Sequence, residues 1–257
     1  MKVISDTAIN DDGPKGTICL LPSLLTTASL FSGFYAIISA INGVYFNAAV
    51  ALLISGVLDG LDGRIARLTK TSSHFGMEYD SLCDLVAFGV APAVLVYLWA
   101  LEDFGRYGWL AAFLYVATTA LRLARFNTRN EEDAKKRFTG LPCPAAAGMI
   151  ATTILFSQFI EIGQSFKGVP ILLLVYGLSY LMVSSFKYVS FKNIETTRAK
   201  KFQVMVFMVL FIMVLASEPQ ITLFVVALVY ILSGPVSTAY GLLSGSKKTV
   251  EEQESLL

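Results

Sequence analysis

Apolar residues fall in long unbroken blocks along this chain. They show neither the alternation of a half-buried strand nor the single apolar stripe of a surface helix. Seven stretches carry no aspartate, glutamate, lysine or arginine: 16–58, 85–101, 107–121, 138–160, 168–186, 202–217 and 219–246. A helix that crosses a bilayer needs ~20 mostly apolar residues, and the first stretch, at 43 residues, has room for two with a turn. The pattern therefore predicts eight transmembrane helices, near 24–43, 45–58, 85–101, 107–121, 144–162, 168–186, 202–217 and 219–243. The second should continue as a polar helix to about residue 68, and the third should begin near Glu78. Pro22 precedes the first span, and Pro142 and Pro144 precede the fifth; proline costs no intrahelical hydrogen bond at a helix start. The tail over 244–257, with Gly245, Lys247 and Lys248 before an acidic run, reads as disordered. The expectation is an all-α integral membrane protein with residues 1–257 forming a single transmembrane domain.

Composition agrees. The chain is 55% hydrophobic and 15% charged, with a mean hydropathy of +0.64, against roughly 25% charged residues in an average soluble domain. A soluble globular enzyme is excluded, and solid apolar runs exclude an outer-membrane barrel. The net charge of +1 gives no electrostatic case for nucleic acid as a partner. Cys19, Cys83 and Cys143 are too scattered for a metal or disulfide pattern and read as reduced packing residues.

Lysine and arginine fix an expected orientation. With the N-terminus in the cytoplasm, 18 of the 20 basic residues fall on the inner side and only Arg106 and Lys167 on the other. Both termini should then face the cytoplasm, in the cytoplasmic membrane.

The candidate chemistry lies where the second span ends and the third begins. Asp59 and Asp62 are three residues apart, and Asp80 and Asp84 four apart, so on helices each pair projects from one face. The two helices are consecutive and antiparallel, which brings both pairs to one depth at the inner membrane surface. Four carboxylates gathered there must be neutralised by protons or cations. An all-oxygen set without histidine or thiolate suits magnesium, manganese or calcium, and two such ions would remain free to grip a polyphosphate. Gly63 and Ala66 leave a flat gap fit for a base ring. Arg67, one turn on, can reach a phosphate with its guanidinium fork, and Gly76 allows a close backbone approach or a tight turn. The bland alternative is that the acids cap helices or pair with Arg64, Arg67 and Lys70. Gly56 and Gly60 form a small-residue pair whose ordinary role is close helix packing.

The order Asp59, Asp62, Gly63, Ala66, Arg67, Gly76, Asp80, Asp84 runs without gap or substitution through the signature D-x2-D-G-x2-A-R-x8-G-x3-D-x3-D. On it, the chain resembles the CDP-alcohol phosphotransferases. The resemblance implies a membrane enzyme that moves a phosphoalcohol group from a CDP-linked donor to a hydroxyl and releases CMP. It implies that Asp59, Asp62, Asp80 and Asp84 hold two divalent cations, magnesium or manganese with calcium possible in one site. Asp84 would also be the general base, and Gly63, Ala66, Arg67 and Gly76 would bind the CDP part of the donor. A homodimer is implied by resemblance alone.

The flanks carry the likeness further, over about residues 18–190. They include Leu21-Pro-Ser-Leu-Leu-Thr, Tyr79-Asp-Ser-Leu-Cys-Asp-Leu-Val-Ala-Phe-Gly, Ala120-Leu-Arg-Leu-Ala-Arg-Phe-Asn, Phe138-Thr-Gly-Leu-Pro-Cys-Pro-Ala-Ala-Ala and Met182-Val-Ser-Ser-Phe-Lys-Tyr. They resemble the eight-span branch of the family whose donor is CDP-diacylglycerol and whose acceptor is L-serine, with phosphatidylserine and CMP as products. Ser23 departs from the asparagine common there after Leu-Pro, which bears on donor-binding detail and not on the acids.

Arg122 and Arg125, three apart at the inner end of the fourth span, are candidate contacts for the serine carboxylate or a phosphate, with interfacial snorkelling as the alternative. Asn127 and Lys187 join them as candidate substrate contacts, and the loop Thr139-Gly-Leu-Pro-Cys-Pro is expected to shape the acceptor pocket. The signature residues specify no acceptor, so glycerol phosphate, inositol phosphate or an aminoalcohol are alternatives to serine. A cation transporter is the rival of another class. Its acids would sit at the bilayer midplane in repeated halves, whereas these lie at one edge with no second copy.

Overall fold

The computed structural model describes residues 20–69, 74–128, 140–160, 168–186, 188 and 198–254. Among them every regular element is helical. In chain order these are α1 (Leu20–Ile41), α2 (Tyr45–Thr69), α3 (His74–Asp84), α4 (Ala91–Val96), α5 (Arg106–Asn127), α6 (Cys143–Phe159), α7 (Val169–Val183), α8 (Arg198–Ser217) and α9 (Pro219–Glu254). A wide π turn over Leu85–Val90 joins α3 to α4, and a second over Tyr97–Leu101 with a short 3-10 turn over Glu102–Phe104 follows α4. Residues 74–104 thus form one irregular rod. It begins at His74, four residues before the expected Glu78, because nothing between His74 and Glu78 breaks a helix.

Three helical stretches among the described residues are long and apolar enough to cross a membrane: Pro22–Ile41, Phe75–Phe104 and Pro219–Thr238. Cys143–Phe159 and Val169–Val183 are apolar but shorter. Large apolar side chains such as Phe31, Phe113, Leu173, Tyr180, Val209 and Val229 point outward, as they must where the surrounding medium is hydrocarbon. The C-terminal helix runs to Glu254, into the stretch whose composition reads as a disordered tail. After Gly245 that stretch holds no residue that breaks a helix, and its lysines and glutamates are good helix formers.

The irregular rod is the axis of the molecule, packed by α1, α2, α5 and α6. Its buried side chains are small on the faces where helices cross, with Ala87, Ala91 and Ala93, and large where they fill the core, with Phe88, Leu95, Trp99 and Leu101. The first of its wide turns has a local cause. Pro92 has no N–H to give, and the Ala91 N–H reaches back to the Val86 carbonyl instead of the nearer Ala87. The ladder is thereby rebuilt with one extra residue in the turn. At the α1 crossing, a Cβ on Gly33 would stand 2.7 Å from Ala87 Cα, so only glycine lets the two backbones approach this closely.

The α1–α2 hairpin turns on Gly43 at φ 74° and is tied in its interior by hydroxyls. Ser29 Oγ lies 2.9 Å from Ser55 Oγ, each serine also donates to the other's carbonyl at 3.0 Å, and Ser32 donates to the Ala51 carbonyl at 2.7 Å. Such bonds join helices where apolar surroundings supply no other partner. The pair Gly56 and Gly60 does not take part: a Cβ at Gly56 would meet only Phe88, at 3.9 Å, and one at Gly60 nothing within 4 Å. Ala48, Ala51 and Ser55 are buried in their place.

The loop entering α6 is pinned rather than free. Gly140, at φ 87°, donates its N–H to the Phe186 carbonyl at 3.0 Å, and the Leu141 N–H reaches the Leu181 carbonyl at 3.0 Å. A side chain at 140 would collide with the Met182 carbonyl oxygen. Pro142 then caps α6 in an extended conformation, and Leu141 and Cys143 are buried.

Candidate active site

Helix α2 carries two aspartates past the end of its apolar run, and α3 meets it with two more. Carboxylate oxygens of Asp59, Asp62 and Asp80 lie within 4.8 Å of one another. The carboxyl of Asp84 completes the group through hydrogen-bonding contact with that of Asp59. All four signature acids therefore converge, although helical spacing alone could have left the two pairs facing different ways.

The acids are screened from water to different degrees. Asp62 is 5% exposed, and Asp59, Asp80 and Asp84 are half-buried. Asp62 Oδ2 accepts a hydrogen bond from Thr26 Oγ1 on α1 at 2.9 Å. Asp80 Oδ1 is buried with no hydrogen-bond partner. A buried carboxylate oxygen left without a partner costs free energy unless something of opposite charge meets it. An acidic group of hard oxygens with one atom so placed fits a divalent cation of the magnesium or manganese kind.

Around this centre the predicted donor-binding residues separate. Arg67 is exposed and folds back on its own helix, donating from Nε to the Gly63 carbonyl at 2.8 Å. Its Nη2 lies 3.6 Å from where a Gly63 Cβ would stand, so the guanidinium covers the gap expected beside Gly63 and Ala66. Open space lies instead one turn earlier, at Gly60. Gly76 makes no tight turn: it sits inside α3 and is not among the glycines with positive φ.

The two arginines of α5 also part company. Arg122 is half-buried and turned toward α6, where its Nη1 donates to Cys143 Sγ at 3.2 Å; Arg125 is exposed. The spacing of three puts them on one broad face, but only Arg122 meets the start of α6, through Cys143. Asp84 and Arg122 both act electrostatically on the Cys143 thiol, so the inward arginine and the fourth acid share one neighbourhood. Cys83 and Cys143 are buried free thiols, as expected of packing residues, and Cys19 lies outside the described residues.

Asn127 is engaged with protein rather than held out for a substrate. Its Nδ2 donates to Glu78 Oε2 at 3.3 Å and to Ser81 Oγ at 3.0 Å, and its Oδ1 accepts from Ser81 at 3.2 Å. It latches the end of α5 to α3, the helix that bears Asp80 and Asp84. Lys187 lies outside the described residues, as does Thr139 of the loop before α6.

Sequence reasoning passed over Thr26 and Thr27. Thr27 Oγ1 lies 2.9 Å from the Tyr79 hydroxyl, while its neighbour holds Asp62. The available signal was two adjacent threonines in an otherwise apolar span, at the depth of the acids.

Residues 19–178 match the family model for CDP-alcohol phosphatidyltransferase. A Helicobacter pylori protein (strain ATCC 700392 / 26695) named CDP-diacylglycerol--serine O-phosphatidyltransferase is 38% identical over 182 residues, covering 71% of this chain and 77% of its own. A Mycobacterium tuberculosis protein (strain ATCC 25618 / H37Rv) of the same name is 38% identical over 171 residues, covering 64% of this chain and 59% of its own. An archaetidylserine synthase from Methanothermobacter thermautotrophicus is 38% identical over 170 residues, covering 65% of this chain and 69% of its own. On the convergence of the signature acids and the extent of these matches, the chain is a helical membrane protein and belongs to the CDP-alcohol phosphatidyltransferase family.

Proposed function

We propose that this protein is a phosphatidylserine synthase, transferring the phosphatidyl group of CDP-diacylglycerol to the hydroxyl of L-serine with release of CMP. The observation that carries the reading is the convergence of Asp59, Asp62, Asp80 and Asp84 from two successive helices. The names of the relatives, serine transferases in bacteria and an archaetidylserine synthase in an archaeon, select serine as acceptor.

The serine oxygen attacks the phosphorus that bears diacylglycerol, the new P–O bond forms as the bond to CMP breaks, and the serine proton passes to Asp84. Asp84 suits that role because it stands at the edge of the acid group, in contact with Asp59 and outside the set of three. Asp59, Asp62 and Asp80, with Asp84, would hold two divalent cations, which supply positive charge against the diphosphate and the departing CMP. Gly60 leaves room at the acids for the flat part of the donor. Arg67 would have to leave the Gly63 carbonyl to reach a phosphate, a swing of an exposed side chain. Arg122, turned inward beside Cys143, is the cation best placed for the serine carboxylate or a donor phosphate, and Arg125 is the lesser candidate. An apolar cavity of ≈ 670 Å³ between α2, α6 and α9, lined by Leu53, Ala145, Gly148, Thr152, Tyr230 and Ser233, suits the hydrocarbon of a lipid donor.

In this reading the chain forms one catalytic domain of eight spans in the cytoplasmic membrane, with both termini and the acids toward the cytoplasm, working as a homodimer. CMP, serine and metal ions are water-soluble, so the carboxylates need a face open to water. The positive-inside distribution supports the cytoplasm as that side.

The test is CMP release by purified protein given CDP-diacylglycerol, with radiolabelled serine, glycerol phosphate, inositol phosphate or an aminoalcohol offered in parallel. Product should form with serine, stop under chelator and be lost in Asp80→Asn. Product from another alcohol alone would reassign the acceptor, and full turnover under chelator would remove the metal role.

A further inference from the structure

Two neighbouring hydroxyls on α1 reach the two helices that carry the acids. Thr26 is 6% exposed, and its Oγ1 sits 2.9 Å from Asp62 Oδ2 on α2 and 3.0 Å from the Pro22 carbonyl. A hydroxyl has one proton, and the Pro22 carbonyl already has the backbone as an alternative partner. The buried carboxylate is the stronger acceptor, so the hydroxyl directs its proton toward Asp62 Oδ2. That bond fixes the rotation of the Asp62 carboxyl and occupies one lone pair of Oδ2, leaving the remaining lone pairs of the carboxylate for a cation. Thr27, the next residue, bonds the Tyr79 hydroxyl on α3, one position before Asp80. Ser29 and Ser32 anchor the same helix to α2 further along. The brace therefore stands on a fixed base.

We infer that Thr26 is a positioning residue for the metal-binding carboxylates, orienting Asp62 through its hydroxyl, with Thr27 setting the approach of the Asp80 helix from the same turn of α1. The inference rests on the reading of the four acids as a divalent-cation site and deepens it. Groups that orient a metal ligand by hydrogen bonding typically cost 10–100-fold in metal affinity or activity when removed. Thr26 does not touch the substrate or the ion. Its loss should weaken cation binding while leaving the affinity for serine unchanged.

The experiment is Mn²⁺ binding to the full chain in nanodiscs, followed by the loss of the free-ion electron paramagnetic resonance signal and requiring no turnover. Thr26→Val, which keeps the shape and removes the proton, should bind Mn²⁺ about 10–100-fold more weakly. Thr26→Ser should restore parental binding, a rescue that a packing role for the threonine methyl would not produce. Thr26→Ala carries the same test if valine is not accommodated. Thr27→Val should give a smaller loss, since Tyr79 is not itself an acid of the site. Asp80→Asn is the control. If it abolishes Mn²⁺ binding while Thr26→Val and Thr26→Ala bind like the parent, the positioning role is overturned and the metal site stands. If the parent binds no Mn²⁺, the metal reading fails and the inference falls with it.

Discussion

The rod over 74–104 and the C-terminal helix α9 look alike as strings of apolar residues, with the same mean hydropathy of 2.0 over their spanning windows. In the folded protein they are opposites. Half of the window in Phe75–Phe104 is buried by protein, against 11% of that in Pro219–Thr238. The difference lies in side-chain size. The rod offers Ala87, Gly89, Ala91 and Ala93 to helices that cross it, whereas α9 presents Val225, Val226, Val229 and Leu232 outward. Hydropathy reports that a segment leaves water. Only the distribution of small residues reports whether it leaves water for lipid or for protein, since no hydrophobic force separates those two.

The contrast should break hardest at the polar end of the rod. Asp84→Asn removes the proposed proton acceptor with little change of shape, and kcat for CMP release should fall by about 10²–10⁴-fold. An equally conservative exchange on the outward face of α9, Leu232→Met, should leave kcat within twofold. Parallel rate measurements at saturating serine check the pair, and an active Asp84→Asn would remove that residue from the chemistry.

Below that comes packing at the α1 crossing. Gly33→Leu forces a side chain against the backbone at Ala87 and should cost about 1–3 kcal/mol or more. The readout is a lower midpoint for thermal unfolding in detergent, with activity of the surviving folded fraction retained. Gly140→Ala should also destabilise, because the left-handed backbone and the Met182 carbonyl both oppose a Cβ. The smallest effect is expected on the outward face of α8: Met213→Leu, at a side chain 67% exposed, should move the same midpoint by no more than about 0.5 kcal/mol in stability. A large shift there would mean that this face is covered by protein.

Much of this was legible before any coordinates. The helical blocks follow from the absence of charge, and two short spacings on consecutive helices put each pair of acids on one face, though not the turn of one face toward the other. What escaped notice depends on partners far away in sequence. Arg122 meeting Cys143 at the start of α6, and Asn127 being claimed by Glu78 and Ser81, are settled by which helix arrives opposite, while Arg67 turns onto the Gly63 carbonyl of its own helix. Periodicity assigns a face but not its neighbour. Thr26 was missed for a related reason: a threonine in an apolar span ordinarily bonds its own helix, as Thr118 and Thr153 do here, and nothing local marks those that also reach across.

The surplus residue in the turn over Leu85–Val90 governs the aim of the acids. Each residue of an α-helix advances the bearing by about 100°, so the extra residue in that turn offsets the bearing of Asp80 and Asp84 from that of the rod beyond it. Downstream the rod is locked in place by Phe88, Leu95 and Trp99. Deleting a single residue between 85 and 90 would leave that lock intact and swing the carboxyls through roughly a quarter of a circle, away from Asp59 and Asp62. The wide turn works as a rotary offset between the anchored half of the rod and its acidic end.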